Sequence, residues 1–74
     1  MLRSLEQQMG KKIRYIRTQE QLTQKQLAIK CGISKGYLSD IERGRTMPSF
    51  KIVYLLMETL GYELVFEKRF SITL

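Results

Sequence analysis

Apolar residues recur at helical spacing over most of the chain and change to simple alternation only near its end. Ser4 followed by Gln7 has capping-box spacing, and Leu5, Met9, Ile13 and Ile16 then form one apolar stripe. This predicts a first helix over roughly residues 4–20. Gly10 lies inside it at a cost of about 1 kcal/mol relative to alanine, so frayed or bent first turns are expected. Thr23 and Gln26 make a second capping box, with Leu22 and Leu27 in the positions of a hydrophobic staple, so a second helix starts at Gln24. Gly32, able to adopt the left-handed conformation, is placed to stop it. Only Ile33 separates that glycine from Ser34, a good N-cap, and a third helix over roughly residues 35–43 follows, ended by Gly44. Pro48 excludes helix from the residue before it, Ser49 caps a fourth helix that runs to Leu60, and Gly61 stops that one.

Two short helices joined by a tight glycine-containing turn are what a helix-turn-helix requires, because only a short link fixes the second helix at a steep angle to the first. At about 100° per residue, Leu38 and Ile41 of the third helix face inward. Gly36, Ser39, Asp40 and Arg43 fall on the opposite side, with Lys35 at the margin. Beyond Gly61, Tyr62, Leu64 and Phe66 point one way and Glu63, Val65 and Glu67 the other, which predicts a strand over Tyr62–Arg69. No other segment has strand character to pair with it, so a second copy of the chain is the simplest partner. The fourth helix supports the same inference. Phe50, Val53, Leu56, Met57 and Leu60 form a stripe suited to the domain's own core, while Ile52, Tyr54 and Leu55 lie outside it. The expected dimer interface comprises Ile52, Leu55, Tyr62, Leu64 and Phe66; the alternative is a monomer with an exposed apolar patch. The chain thus divides into a helical unit, 1–61, and a C-terminal strand and tail, 62–74.

Charge sharpens this picture. The 74 residues, enough for one domain with a thin core, carry 13 Lys and Arg against 7 Asp and Glu, a net +6. The excess is confined to the front: residues 1–51 are net +7 and residues 52–74 are net −1. A basic front suits a polyanion and an apolar back suits protein, although basic residues also serve solubility alone. Catalysis is not expected. With no histidine, a serine or cysteine nucleophile lacks its commonest base, and no glycine-rich phosphate loop is present. A lone cysteine, Cys31, cannot form an internal disulfide, zinc lacks its usual ligand set, and Cys31 falls in the last turn of the second helix where packing is its expected role. Neither a metal nor a cofactor is expected. With no long apolar run and no leader pattern at the N-terminus, a cytoplasmic location is expected.

Taken in order, Ile13-Arg14, Leu22-Thr23-Gln24, Leu27-Ala28, Gly32-Ile33-Ser34, Tyr37-Leu38-Ser39, Ile41-Glu42, Gly44, Pro48-Ser49 and Leu60-Gly61 resemble the Cro/C1 (XRE) helix-turn-helix family over about two-thirds of the chain. The expected fold is therefore mainly α, a four-helix Cro/C1-type domain followed by a β-strand pairing across a homodimer. Where that family usually continues into a fifth helix, this chain offers a strand, in which it is similar to HipB-type antitoxins.

The resemblance implies a dimeric, autoregulating repressor on a palindromic DNA operator, the antitoxin of a HipA/HipB-like pair with a kinase-like toxin as partner. Alternatives are a phage or restriction-modification control regulator without a toxin, or a protein-interaction adaptor. It implies that the third helix enters the major groove with the second across the backbone. Ser34, Lys35, Gly36, Ser39 and Asp40 are then the candidate base-reading residues. Lys35 has the reach for guanine O6 and N7, and Gly36 permits close approach. Asp40 is repelled by phosphates unless it accepts from cytosine N4 or pairs with a nearby Lys or Arg. Gln24, with Lys25, sits at the positive end of the second helix and is a candidate phosphate contact, as are Arg43 and Arg45. Tyr37 fits either a phosphate contact through its hydroxyl or a place in the core. Arg17 and Glu42 match family positions that pair between the first and third helices, which implies a structural salt bridge.

Overall fold

The computed structural model describes residues 4–65, 67 and 68. Four helices follow in order: α1 (Leu5–Gln19), α2 (Gln24–Cys31), α3 (Lys35–Glu42) and α4 (Phe50–Thr59). Each begins at the side chain its sequence provides. Ser4 Oγ accepts the Gln7 N–H at 3.2 Å while Gln7 Oε1 accepts the Ser4 N–H at 3.3 Å. Thr23 and Gln26 form the same reciprocal pair at 3.0 and 2.9 Å. Ser34 and Ser49 each accept the backbone N–H three residues on, from Tyr37 at 3.0 Å and Ile52 at 3.3 Å. Each cap satisfies a donor that the helix itself leaves unpaired.

The helices also end alike. Beyond α2 and α3 the chain turns through left-handed Gly32 and Gly44, and the next N–H reaches back five residues, Ile33 to the Ala28 carbonyl and Arg45 to that of Asp40. The turn after α1 closes in the same way, Leu22 N–H to the Arg17 carbonyl at 3.2 Å, but its left-handed position is Gln21, with φ 59°. No glycine marks that turn in the sequence, so the spacing alone did not indicate its form.

Every helix contributes to one core. Ile13 of α1, Leu27 of α2, Leu38 and Ile41 of α3 and Leu56 of α4 are fully buried, joined by Ala28 and Leu60. Cys31 packs partly buried against this cluster, its Sγ 3.8 Å from the Leu55 carbonyl oxygen. The packing corrects three expectations. Gly10 does not interrupt or fray α1, which is one helix from Leu5 to Gln19, and its role is contact: a Cβ there would collide with the Ile41 and Glu42 carbonyl oxygens. Helical spacing puts Phe50 in the core stripe of α4, yet it is 62% exposed, since the first residue of a helix projects past the end of the cluster. Ile52, placed by spacing on the outer face, is half-buried and packs on the core instead.

Among the described residues of this single chain, no C-terminal strand is formed. Residues 62–65, 67 and 68 carry no strand pairing, and Phe66 and Arg69 lie outside the described residues. An isolated strand has no partner for its backbone groups, so alternation alone cannot stabilise one.

Because the Gly10 contact is with backbone, which cannot move aside like a flexible side chain, Gly10→Ala should destabilise the domain by about 1–3 kcal/mol despite alanine's better helix propensity. Gly36 has open space where its Cβ would be, so Gly36→Ala should be neutral or mildly stabilising. Urea denaturation of the two variants reads both outcomes.

Candidate nucleic-acid interface

The orientation of α3 is set from behind by a buried ion pair. Arg17 Nε donates to Glu42 Oε2 at 2.7 Å and Arg17 Nη2 to Glu42 Oε1 at 2.9 Å, a two-pronged contact between α1 and α3. Arg17 Nη1 donates to the Leu22 carbonyl at 2.7 Å, tying in the turn before α2. Gln24 Nε2, from the first turn of α2, also donates to Glu42 Oε1, at 3.1 Å. Both charged residues are below 10% exposed, and among the described residues no buried side-chain polar atom lacks a partner. Three elements thus meet at one carboxylate. The Arg17–Glu42 pair is where the family resemblance places it, whereas the Gln24 bond was not anticipated, because Gln24 and Glu42 are 18 residues apart. Only the third dimension brings them together.

With Leu38 and Ile41 buried, the opposite side of α3 is polar and open. Lys35, Gly36 and Arg43 are exposed, and Ser39 and Asp40 partly so. Gly36 has nothing within 4 Å of its missing Cβ, so the backbone itself is accessible there. Ser34, exposed, uses one lone pair on the cap and keeps its hydroxyl proton as a donor. Asp40 has Arg45 Nη1 at 3.7 Å from its Oδ1, a loose surface pair of little energetic weight that still offsets a negative charge on this face. Of the two places that the sequence leaves open for Tyr37, the packing is seen: it is half-buried against the core cluster.

The first turn of α2 borders this face. Lys25 is exposed, and no acidic residue occupies the turn. Gln24 is half-buried with one amide proton committed to Glu42, which leaves a second N–H and the carbonyl oxygen for an outside partner. On the other flank of α3, helix α1 presents Lys11 and Arg14 beside Glu42, two basic side chains that the reading of the third helix did not include. Gly10 was the available signal for them, since a glycine inside a capped helix marks close approach of another element.

A family model described as helix-turn-helix matches residues 13–66, more than half of the chain. The chain belongs to the helix-turn-helix family of Cro/C1 (XRE) type. An immunity repressor protein of Bacillus phage phi105 is 43% identical over 54 residues, which cover 73% of this chain and 38% of the repressor. An HTH-type transcriptional regulator of Methanocaldococcus jannaschii is 34% identical over 56 residues, covering 76% of this chain and 85% of that protein. Among solved structures, the clp gene regulator ClgR from Corynebacterium glutamicum superposes with a TM-score of 0.80 at 31% identity, over 82% of this chain and 65% of that one. The restriction-modification controller protein C.AhdI from Aeromonas hydrophila gives 0.76 at 29% identity, over 78% of this chain and 88% of that one. The chain therefore spans well under half of the phage repressor but most of the controller protein. Among the described residues no helix is long and apolar enough to cross a membrane.

Removing one partner from a buried, fully bonded pair strands the other charge. Glu42→Ala should therefore cost about 3–5 kcal/mol in urea denaturation, against about 0.5 kcal/mol or less for Asp40→Ala. Equal small losses would show that the pair carries no structural weight.

Proposed function

We propose that this protein is a sequence-specific, DNA-binding transcriptional repressor, with α3 as its reading helix and no catalytic activity. The observation that carries this reading is the contrast between the two sides of α3. One side is locked by Leu38, Ile41 and the Arg17–Glu42 pair, and the other is polar, open and bare at Gly36. A rigid rod with a free polar face is suited to a groove 12 Å wide or so, where side chains meet base edges. Lys35, Ser39 and Asp40, with the Ser34 hydroxyl, read bases; Gln24, Lys25, Tyr37, Arg43 and Arg45 hold phosphates and set register. Support comes also from relatives whose names describe a repressor, a transcriptional regulator, a gene regulator and a restriction-modification controller.

The protein acts as a dimer on a two-fold symmetric site. Tyr54 and Tyr62 are nearly half exposed and Val65 more so; with Leu64 they line a groove between α4 and the segment after it. Leu55 lies partly exposed on the same helix. A second copy seated on this face gives the apolar residues cover and gives the alternating segment 62–69 a strand to pair with. Phage repressor and restriction-modification controller similarities favour a regulator of that kind, which needs no toxin. A toxin-paired antitoxin rests on the C-terminal strand, and residues 62–65, 67 and 68 form none by themselves.

Selection of bound duplexes from a random library tests both parts at once. The expected product is an inverted repeat with half-site centres about 10 base pairs apart. Lys35→Ala should then relax the preference at one position of each half-site by about 1–3 kcal/mol. Enrichment of no sequence would overturn the repressor reading, and enrichment of a single unrepeated site would overturn the dimer.

A further inference from the structure

Helix α1 carries a row of basic side chains whose placement the recognition helix does not explain. Lys11 and Arg14 are three residues apart and so share one face of the helix. Both line a depression of about 330 Å³ with Thr18 and Glu42. Lys11 also lines a neighbouring depression of about 240 Å³, this one bordered by Arg43 at the end of α3. The two depressions have Lys11 and Glu42 in common, so Arg14, Lys11 and Arg43 form one strip along the seam between α1 and α3.

The electrostatics of that strip are one-sided. Its single carboxylate, Glu42, is already bonded by Arg17 and Gln24 and has only 2% of its side chain exposed. Among the described residues, Lys11, Arg14 and Arg43 have no ion-pair partner. Three adjacent cations with no anion repel one another, and an external polyanion relieves that repulsion. The backbone contact at Gly10 holds the strip in place, because it seats α1 directly on the Ile41 and Glu42 carbonyls and brings Lys11, the next residue, to the end of α3.

We propose that Lys11 and Arg14, together with Arg43, form a second backbone-binding strip that grips phosphates of duplex DNA flanking the groove occupied by α3. The strip is continuous with the open face of α3 through Arg43, so a duplex bound there passes along it, and this continuity favours a nucleic-acid backbone over an acidic protein. The inference rests on the DNA-binding reading and extends it to a helix outside the helix-turn-helix pair. Its contacts add affinity and carry no sequence information.

The test is the salt dependence of binding to a random-sequence 24-base-pair duplex, where phosphate contacts dominate. Each phosphate neutralised contributes about 0.9 to the slope of log K against log salt. The Lys11→Ala/Arg14→Ala variant should flatten that slope by about 1.8 per protomer while retaining the wild-type helical spectrum and thermal transition, since both residues are exposed. A charge-matched control, Lys30→Ala/Lys51→Ala, should keep the wild-type slope. An unchanged slope in the first variant, or equal flattening in the control, would overturn the strip and leave the DNA-binding reading intact. Failure of the folded wild type to bind duplex at low salt would overturn both.

Discussion

One carboxylate, Glu42, and the guanidinium that holds it constrain the rest of this small domain. Taking two charges out of water costs several kcal/mol per ion, so a buried pair persists only where geometry and further hydrogen bonds compensate. Here the compensation is complete: Arg17 donates from three nitrogens, and Glu42 receives three bonds from two residues. Such an arrangement tolerates little displacement. Because the donors come from α1 and α2 and the acceptor from α3, the pair fixes the angle of the third helix to the other two.

A second constraint acts on the same joint. The missing Cβ at Gly10 lets α1 lie against the carbonyls that end α3, and Gly44, left-handed, passes close to the backbone and side chain of Gln7. Contact and charge thus fix the inner side of α3 and leave its outer side without structural duty. Lys35, Ser39, Asp40 and Arg43 are positioned by the helix but hold no part of the core. Side chains freed in this way can be fitted to a ligand without cost to folding, which is the physical basis for assigning recognition to that face.

Local features were legible in the sequence, because a cap is made within three residues. Ser4, Thr23, Ser34 and Ser49 all start helices as their spacing implies, and Gly32 and Gly44 end them. The inward pair Leu38 and Ile41 was equally readable from helical phase. What escaped was long-range. The meaning of Gly10 depends on carbonyls more than 30 residues away, and the Gln24 amide finds Glu42 across two helices. Phe50 and Ile52 exchanged roles because helical phase gives direction but not where along its length a helix leaves the core. Alternation from Tyr62 onward describes a side-chain pattern for which the described residues of one chain offer no strand partner.

Rigid presentation of α3 by the Arg17–Glu42 pair is the claim from which the functional reading follows. Its most direct test is the affinity ratio between library-selected and random duplex for an Arg17→Met/Glu42→Leu variant, which removes both charges together and so leaves neither stranded. A variant that folds with the wild-type helical spectrum yet loses about tenfold or more in that ratio, some 1.4 kcal/mol, is the predicted result. A folded variant with the wild-type ratio would contradict the account, since reading would then not depend on how α3 is held.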